Sequence, residues 1–261
     1  MKRSDPAAGK PAAQIKNGPA PRPGWGLVGG LNRLPKWLNQ FRQRMEQESP
    51  VLRYEPEHLH LRLAEDPAPD ALDLDGFKYL VEQLPAIQLL EWDGPGDALA
   101  LDDLFRMADW LRQQNGARIV LRTPGRYLGK RLDELLDSPI EHVTVTINGH
   151  KPSTYMAATG RPATEFVTVR ENVHRLVTRR LHKAARMPGF SVELAFLVDL
   201  LSYRAIPDML RFSEELGVDA VRFDNYVGDE ADEPSLQTLY SHHKEVRKFL
   251  DALEPMDYRV T

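Results

Sequence analysis

The chain contains no cysteine among its 261 residues. That absence removes disulfides, thiol nucleophiles, thiolate zinc sites and cysteine-ligated iron–sulfur clusters together. Long apolar runs are missing too: no stretch of about 18 apolar residues occurs, and the N-terminus is rich in Lys, Pro and Ala without the apolar centre of a signal peptide. A soluble cytoplasmic protein is the expectation. Aromatic residues make up only 8%, yet 42% of the chain is apolar, enough to bury a sizeable core in one barrel-like domain or two small ones.

Charge is present but unevenly distributed. The formal net charge is −4, whereas residues 1–44 hold nine Lys/Arg against Asp5 alone, so the remainder is strongly acidic. An acidic body argues against a general nucleic-acid binder, while the basic arm suits an acidic partner or surface. Residues 1–24 have too few large apolar side chains to offset chain entropy and are expected to be disordered. Residues 25–54 read as an amphipathic helix and linker, with Leu31, Leu34, Trp37, Leu38, Phe41 and Met45 near helical spacing. Trp25, between glycines and proline, is a candidate partner anchor; buried packing is expected for Trp37, Trp92 and Trp110.

From residue 55 to 261 strand and helix patterns alternate. Six strands are predicted, at 59–64, 86–92, 117–122, 142–147, 190–198 and 220–225, with helices at 74–84, 100–115, 129–137, 164–186, 204–216 and 235–253. Gly217 stands where a helix C-terminal glycine belongs. Alternating strands and helices imply a parallel sheet with right-handed crossovers. Six such units are too few for a closed eight-stranded barrel, so the expected fold is α/β, a partial (βα)6 TIM-like barrel.

Ligands of parallel α/β folds sit where strands end and helices begin. The polar residues there are Glu65 and Asp66; Asp93, Gly94, Gly96 and Asp97; Thr123, Gly125 and Arg126; Asn148 and His150; Asp199; and Asp224 and Asn225. Each also suits a turn or cap. Among them Asp93, Asp97, Asp224 and His150 are the candidates for a hard divalent cation. His58 and His60 fall on one face of the first strand, where a structural or surface role is the simpler reading.

The order of these segments resembles the radical S-adenosylmethionine (SAM) enzymes. "DGPGDALA" is similar to that family's glycine–glycine–acid–proline turn after the second strand, with Asp97 in the acid's place and Ala98 in the proline's. "RTPG" resembles its Thr-Asn-Gly turn, with Pro124 replacing Asn. "VTINGHKPSTYMAATGRPATEFVTVRENVHRLVTRR" resembles its fourth βα unit, in which Tyr155, Gly160, Phe166, Asn172, Val173 and Leu176 keep their places, and "LRFSEELGVDAVRFDNYVG" follows its approach to the sixth strand. The resemblance spans about residues 57 to 228. It implies that Gly94, Gly96, Asp97, Thr123 and Asn148 outline a vestigial pocket for SAM or another ligand.

It also implies three cysteines, spaced CxxxCxxC after the first strand, to carry a four-iron cluster. Here that place reads "LAEDPAPDALDLDG", acidic and proline-bearing. Carboxylates are hard ligands and poor substitutes for sulfur on such a cluster. The expectation is a catalytically degenerate radical-SAM-like protein without an iron–sulfur cluster, serving as a binding or scaffold subunit. Its expected partner is a protein, an active radical SAM enzyme or a peptide substrate. Two other readings stand beside it. One is a non-radical enzyme using a divalent metal, or SAM as a polar methyl donor; the other is an electrostatic adaptor acting through the basic arm. The basic stretch "VHRLVTRRLHKAAR" reads as the solvated face of an ordinary barrel helix, and nucleic-acid binding is not expected.

Overall fold

The structure is a computed structural model that describes residues 55–63, 72–94, 96–225 and 244–253. The basic arm, the amphipathic segment with Trp25 and Trp37, the acidic connection containing Glu65 and Asp66, and the chain's last residues lie outside the described residues. Contacts divide the chain between Glu55 and Pro56, and the fold below belongs to the second part.

Six strands form one sheet in the order β1-β2-β3-β4-β5-β6: β1 His58–Arg62, β2 Leu89–Asp93, β3 Arg118–Thr123, β4 His142–Thr146, β5 Ser191–Val198 and β6 Ala220–Asn225. Every neighbouring pair is parallel. The helices are α1 Leu74–Glu82, α2 Leu104–Asn115, α3 Leu132–Asp137, α4 Pro152–Thr159, α5 Ala163–Arg186, α6 Ile206–Leu216 and α7 Lys244–Leu253. This is the open α/β arrangement expected from the alternating pattern. No helix among the described residues is long and apolar enough to cross a membrane.

Helix α4 has no counterpart in the sequence prediction, although its signals are present. Pro152 occupies the first turn, where a missing N–H costs nothing, and Gly160 ends the helix in the left-handed region at φ 67°. Gly217 closes α6 in the same way, at φ 71°. Helix α2 starts later than predicted because Asp97 first caps a 3-10 turn, Ala98–Ala100, and Leu101 is extended before the α-helix begins.

The sheet has two unlike faces because side chains alternate along each strand. One face is apolar and covered by helices: Leu90, Trp92, Ile119, Leu121, Val143, Val145, Val192, Leu194 and Phe196 are all buried there. Trp92 is fully buried and stacks on Phe77 of α1 at 6.1 Å, and Trp110 of α2 meets Phe77 edge-on at 6.2 Å. The other face carries His58, His60, Glu91, Asp93, Arg122, His142, Glu193, Arg222 and Asp224. The sheet curls about this polar face: Arg122 of β3 approaches the Asp224 carboxylate of β6 to 3.6 Å across the intervening strands.

A buried cation joins two helices on the apolar side. Lys183 of α5 is 1% exposed, and its ammonium donates to the carbonyls of Leu135 at 2.9 Å and Ser138 at 2.5 Å, at the C-terminal end of α3. A short helix whose last carbonyls would be buried needs such a donor, and its dipole favours a cation there. Replacing Lys183 with Met keeps the stem and deletes the donor. Urea unfolding should show a loss of about 1–3 kcal/mol; a variant as stable as the parent would mean that these carbonyls find other donors.

Candidate functional site

At the carboxyl end of the sheet a cleft of about 490 Å³ opens, lined by Arg62, Asp93, Gly94, Arg122, Thr123, Thr146, Asn148, Tyr155, Arg161 and Asp224 among others. Its volume lies within the range of small-molecule sites. Sequence reasoning placed Asp93 and Thr123 just beyond their strands and Asp224 at the end of the sixth. In the structure they are strand residues, so pleat and register decide where they point. Asp93 pairs with Arg62, and Leu197 with Asp224, which aims both acids at the polar face.

Arg122 organises the floor. Its guanidinium donates to Glu91 at 3.2 Å and lies 3.7 Å from Asp93 and 3.6 Å from Asp224. Arg222 sits 3.3 Å from both Glu193 and Asp224. These are ion pairs at imperfect hydrogen-bonding geometry, and the buried Nε atoms of Arg122 and Arg222 have no hydrogen-bond partner. Arg62 has no ion-pair partner among the described residues. The cleft therefore presents acids of fixed position beside guanidinium groups with spare donors.

Deeper along the polar face, His142 Nδ1 lies 2.7 Å from the Ser191 hydroxyl and its Nε2 lies 3.2 Å from that of Thr144. Burial, more than neighbouring charge, holds its pKa below the ordinary histidine value. Tyr155, buried beside the cleft, donates to Glu165 at 2.7 Å, and burial followed by that carboxylate pushes the phenol pKa up, so it stays protonated.

The five residues that the resemblance marked as a ligand pocket are heavily engaged within the fold. Gly94, at φ 120°, lies so close to β1 that an added Cβ would stand 2.4 Å from the Leu63 carbonyl. The Gly96 N–H donates to that same carbonyl at 3.2 Å. Asp97 is buried and accepts from the Thr123 hydroxyl at 2.7 Å, the Leu99 N–H at 3.1 Å and the Tyr127 N–H at 3.3 Å. Thr123 in turn accepts from the Gly125 N–H at 2.9 Å. Asn148, at φ 51°, accepts from the Leu197 N–H of β5 at 2.8 Å. Of the five, Gly94, Thr123 and Asn148 line the cleft.

Other predicted rim residues lie apart. Asp199 caps its own turn through the N–H groups of Leu201 and Ser202 at 3.0 and 2.8 Å. His150 faces Asp208 at 3.9 Å in a separate groove, with a pKa lowered mainly by burial. The four candidate cation ligands thus do not converge: Asp97 is held by Thr123, His150 by its place near Asp208, and Asp224 by two arginines. What the structure brings together with Asp93 is Glu91 and His60, whose donor atoms all lie within 4.8 Å of one another. The signal was the polar residue at every second position of each strand, "HLHLR", "LLEWD" and "AVRFD".

No family profile matches the chain. The FeMo cofactor biosynthesis protein NifB of Klebsiella pneumoniae is 36% identical over 73 residues, which is 27% of this chain and 16% of that protein. Among solved structures, Streptococcus suis SuiB bound to S-adenosylmethionine has a TM-score of 0.58 at 12% identity, covering 85% of this chain and 53% of that one. SuiB bound to precursor peptide SuiA also has a TM-score of 0.58 at 12% identity, over 85% and 52%. The fold is therefore that of SuiB, the open parallel α/β arrangement that the sequence resemblance implies. The chain spans about half the length of SuiB and a far smaller share of NifB.

Two groups are implied by a radical SAM fold, and they fit this chain differently. The iron–sulfur cluster does not fit, since the chain offers no thiolate at any position. For a polar molecule of SAM's kind the cleft offers matching groups, Arg62 and Arg122 that would meet a carboxylate and Asp93 and Asp224 that would meet a cation. The side chain of Asp97 is engaged in holding the turns after β2 and β3. Asp97→Ala should consequently lower stability by roughly 2–3 kcal/mol, because two buried donors and one part-buried donor lose their acceptor. Thermal melts paired with ligand titration check this: unchanged stability with lost binding would make Asp97 a ligand residue instead.

Proposed function

We propose that this chain is a binding subunit on a radical SAM fold that has lost reductive chemistry, and that its cleft takes a small zwitterion or the charged end of a peptide. The carrying observation is the mixed-charge cleft at the carboxyl mouth in a chain without cysteine. A carboxylate on the ligand meets Arg62 and Arg122, and an ammonium or sulfonium meets Asp93 and Asp224. SAM carries both kinds of charge, and SuiB is seen both with SAM and with its precursor peptide. Both ligand classes are therefore assigned to this cleft as alternatives of one chemistry.

The protein's role is then to hold a peptide or a partner beside an active radical SAM enzyme in a biosynthetic or modification pathway, in the cytoplasm. Gly94, Gly96, Asp97, Thr123 and Asn148 serve this by keeping the cleft's rim rigid rather than by contacting reacting atoms. A second reading, SAM as polar methyl donor at the same cleft, is favoured by one observation, the room beside Asp93 for a bound sulfonium. The adaptor reading rests on the basic arm, outside the described residues.

Calorimetry with SAM in the presence of a chelator should give one site per chain, and Arg62→Ala should weaken it about tenfold, the loss of one charge-assisted contact. Absence of heat with both SAM and a precursor-type peptide would overturn the ligand assignment. Anaerobic incubation with iron and sulfide should leave no bound cluster; recovery of stoichiometric iron and sulfide with release of 5′-deoxyadenosine would overturn the loss of reductive chemistry.

A further inference from the structure

We propose that His60, Glu91 and Asp93 form a binding site for a divalent transition-metal cation on the polar face of β1 and β2. Nothing in the radical SAM resemblance requires this site; it shares Asp93 with the cleft, and its test is run separately from that of the cleft ligand.

The argument begins with register. β1 and β2 are parallel neighbours with His60 opposite Glu91 and Arg62 opposite Asp93. Residues directly opposite share a face, so His58 and His60 of one strand project beside Glu91 and Asp93 of the other. The pairs that result are diagonal: His60 Nε2 stands 3.3 Å from Asp93 Oδ2, and His58 Nε2 stands 3.5 Å from Glu91 Oε2. The two imidazoles lie nearly parallel, 19° apart, with ring centres 6.4 Å apart.

Metal geometry accommodates this arrangement. Two donors 3.3 Å apart subtend about 100° at an ion ~2.1 Å from each, between the tetrahedral and octahedral values. The widest donor separation, within 4.8 Å, closes with a small rotation of the longer Glu91 side chain. The donors come from two hydrogen-bonded strands, a more rigid mounting than a loop. One imidazole with two carboxylates suits Zn²⁺, Co²⁺, Fe²⁺ or Mn²⁺ better than Ca²⁺ or Mg²⁺, which favour all-oxygen shells.

Arg122 decides whether the acids are available. It approaches Glu91 through Oε1 and Asp93 through Oδ1, whereas the histidines face Oε2 and Oδ2. Each carboxylate thus has one oxygen turned to the guanidinium and the other to an imidazole. The guanidinium holds the acids in place from one side, as carboxylate partners do around metal sites, and leaves the imidazole side open to an ion. Asp93 also lines the cleft, so a cation here would sit at its edge.

The rival account is two ordinary histidine–carboxylate ion pairs without metal. Titration of the full-length, tag-free protein with Co²⁺, read by visible absorption, separates the two. One equivalent should bind, and His60→Ala and Asp93→Asn should each weaken binding at least tenfold while leaving the thermal melt in place. Substitution of the His242–His243 pair should leave it unchanged. Failure to bind Co²⁺ or Zn²⁺, binding untouched by both cleft variants, or binding that follows His242 and His243 would each overturn the proposal. Because the SAM titration is run with chelator, either assignment can fail without the other.

Discussion

Arg122 is the point on which the polar face turns. It stands on β3, yet it meets carboxylates of β2 and of β6, and that reach defines the curvature of the sheet. A flat sheet would keep β3 and β6 well apart, since neighbouring strands are about 4.8 Å from one another. The partial barrel stays open, so the charges it encloses retain water and are not fully desolvated. This is why, among the described residues, Glu91, Asp93, Glu193 and Asp224 can share the lumen with Arg62, Arg122 and Arg222 where a closed barrel of this size would be filled with apolar side chains. The apolar work is done on the opposite face, where Trp92, Phe77 and their neighbours bury the helices against the strands.

Around that floor the rim is tied by short polar hooks. Asp97 links the turn after β2 to the turn after β3 through Thr123. Asn148 links β4 to β5 through the Leu197 N–H, and Asn172 reaches from α5 to the Gly125 carbonyl at 3.2 Å. Gly129 leaves room for that asparagine, since an added Cβ would stand 2.3 Å from its Oδ1. Residues that resemble a family's cofactor motif therefore also have mechanical duties that survive without the cofactor. Retention of such residues follows from the fold's own needs and does not by itself demand that SAM be bound.

The chain has no thiolate, and its cleft is lined by opposite charges. Without sulfur ligands the cluster has no attachment, but the strand ends still present opposite charges in a space suited to a small polar molecule. The histidines of β1 add nitrogen donors next to the acids of β2. The groups this chain presents there are carboxylates, imidazoles and guanidinium groups, whose chemistry is ionic recognition and the binding of hard or borderline cations.

Much of the architecture was legible in the residues alone. Period-two strands alternating with amphipathic helices specify a parallel α/β sheet, and Gly217 marks the end of α6, because both depend on neighbours along the chain. Helix α4 was equally announced by Pro152 and Gly160, yet its short apolar pattern, dominated by Tyr155, was too weak to be read. The chemistry of the inner face was not legible. Asp93 read as a loop acid near Asp97, but one is a strand residue facing His60 and Arg122 while the other is buried against Thr123. That separation follows from β2 ending at Asp93, after which the glycine turn carries Asp97 to the cap of the 3-10 turn beside Thr123, and from curvature, which brings Asp224 to Arg122. Composition alone excluded thiolate chemistry, since no fold can supply a missing atom; which of the remaining charged groups meet was decided only when six strands paired and curled.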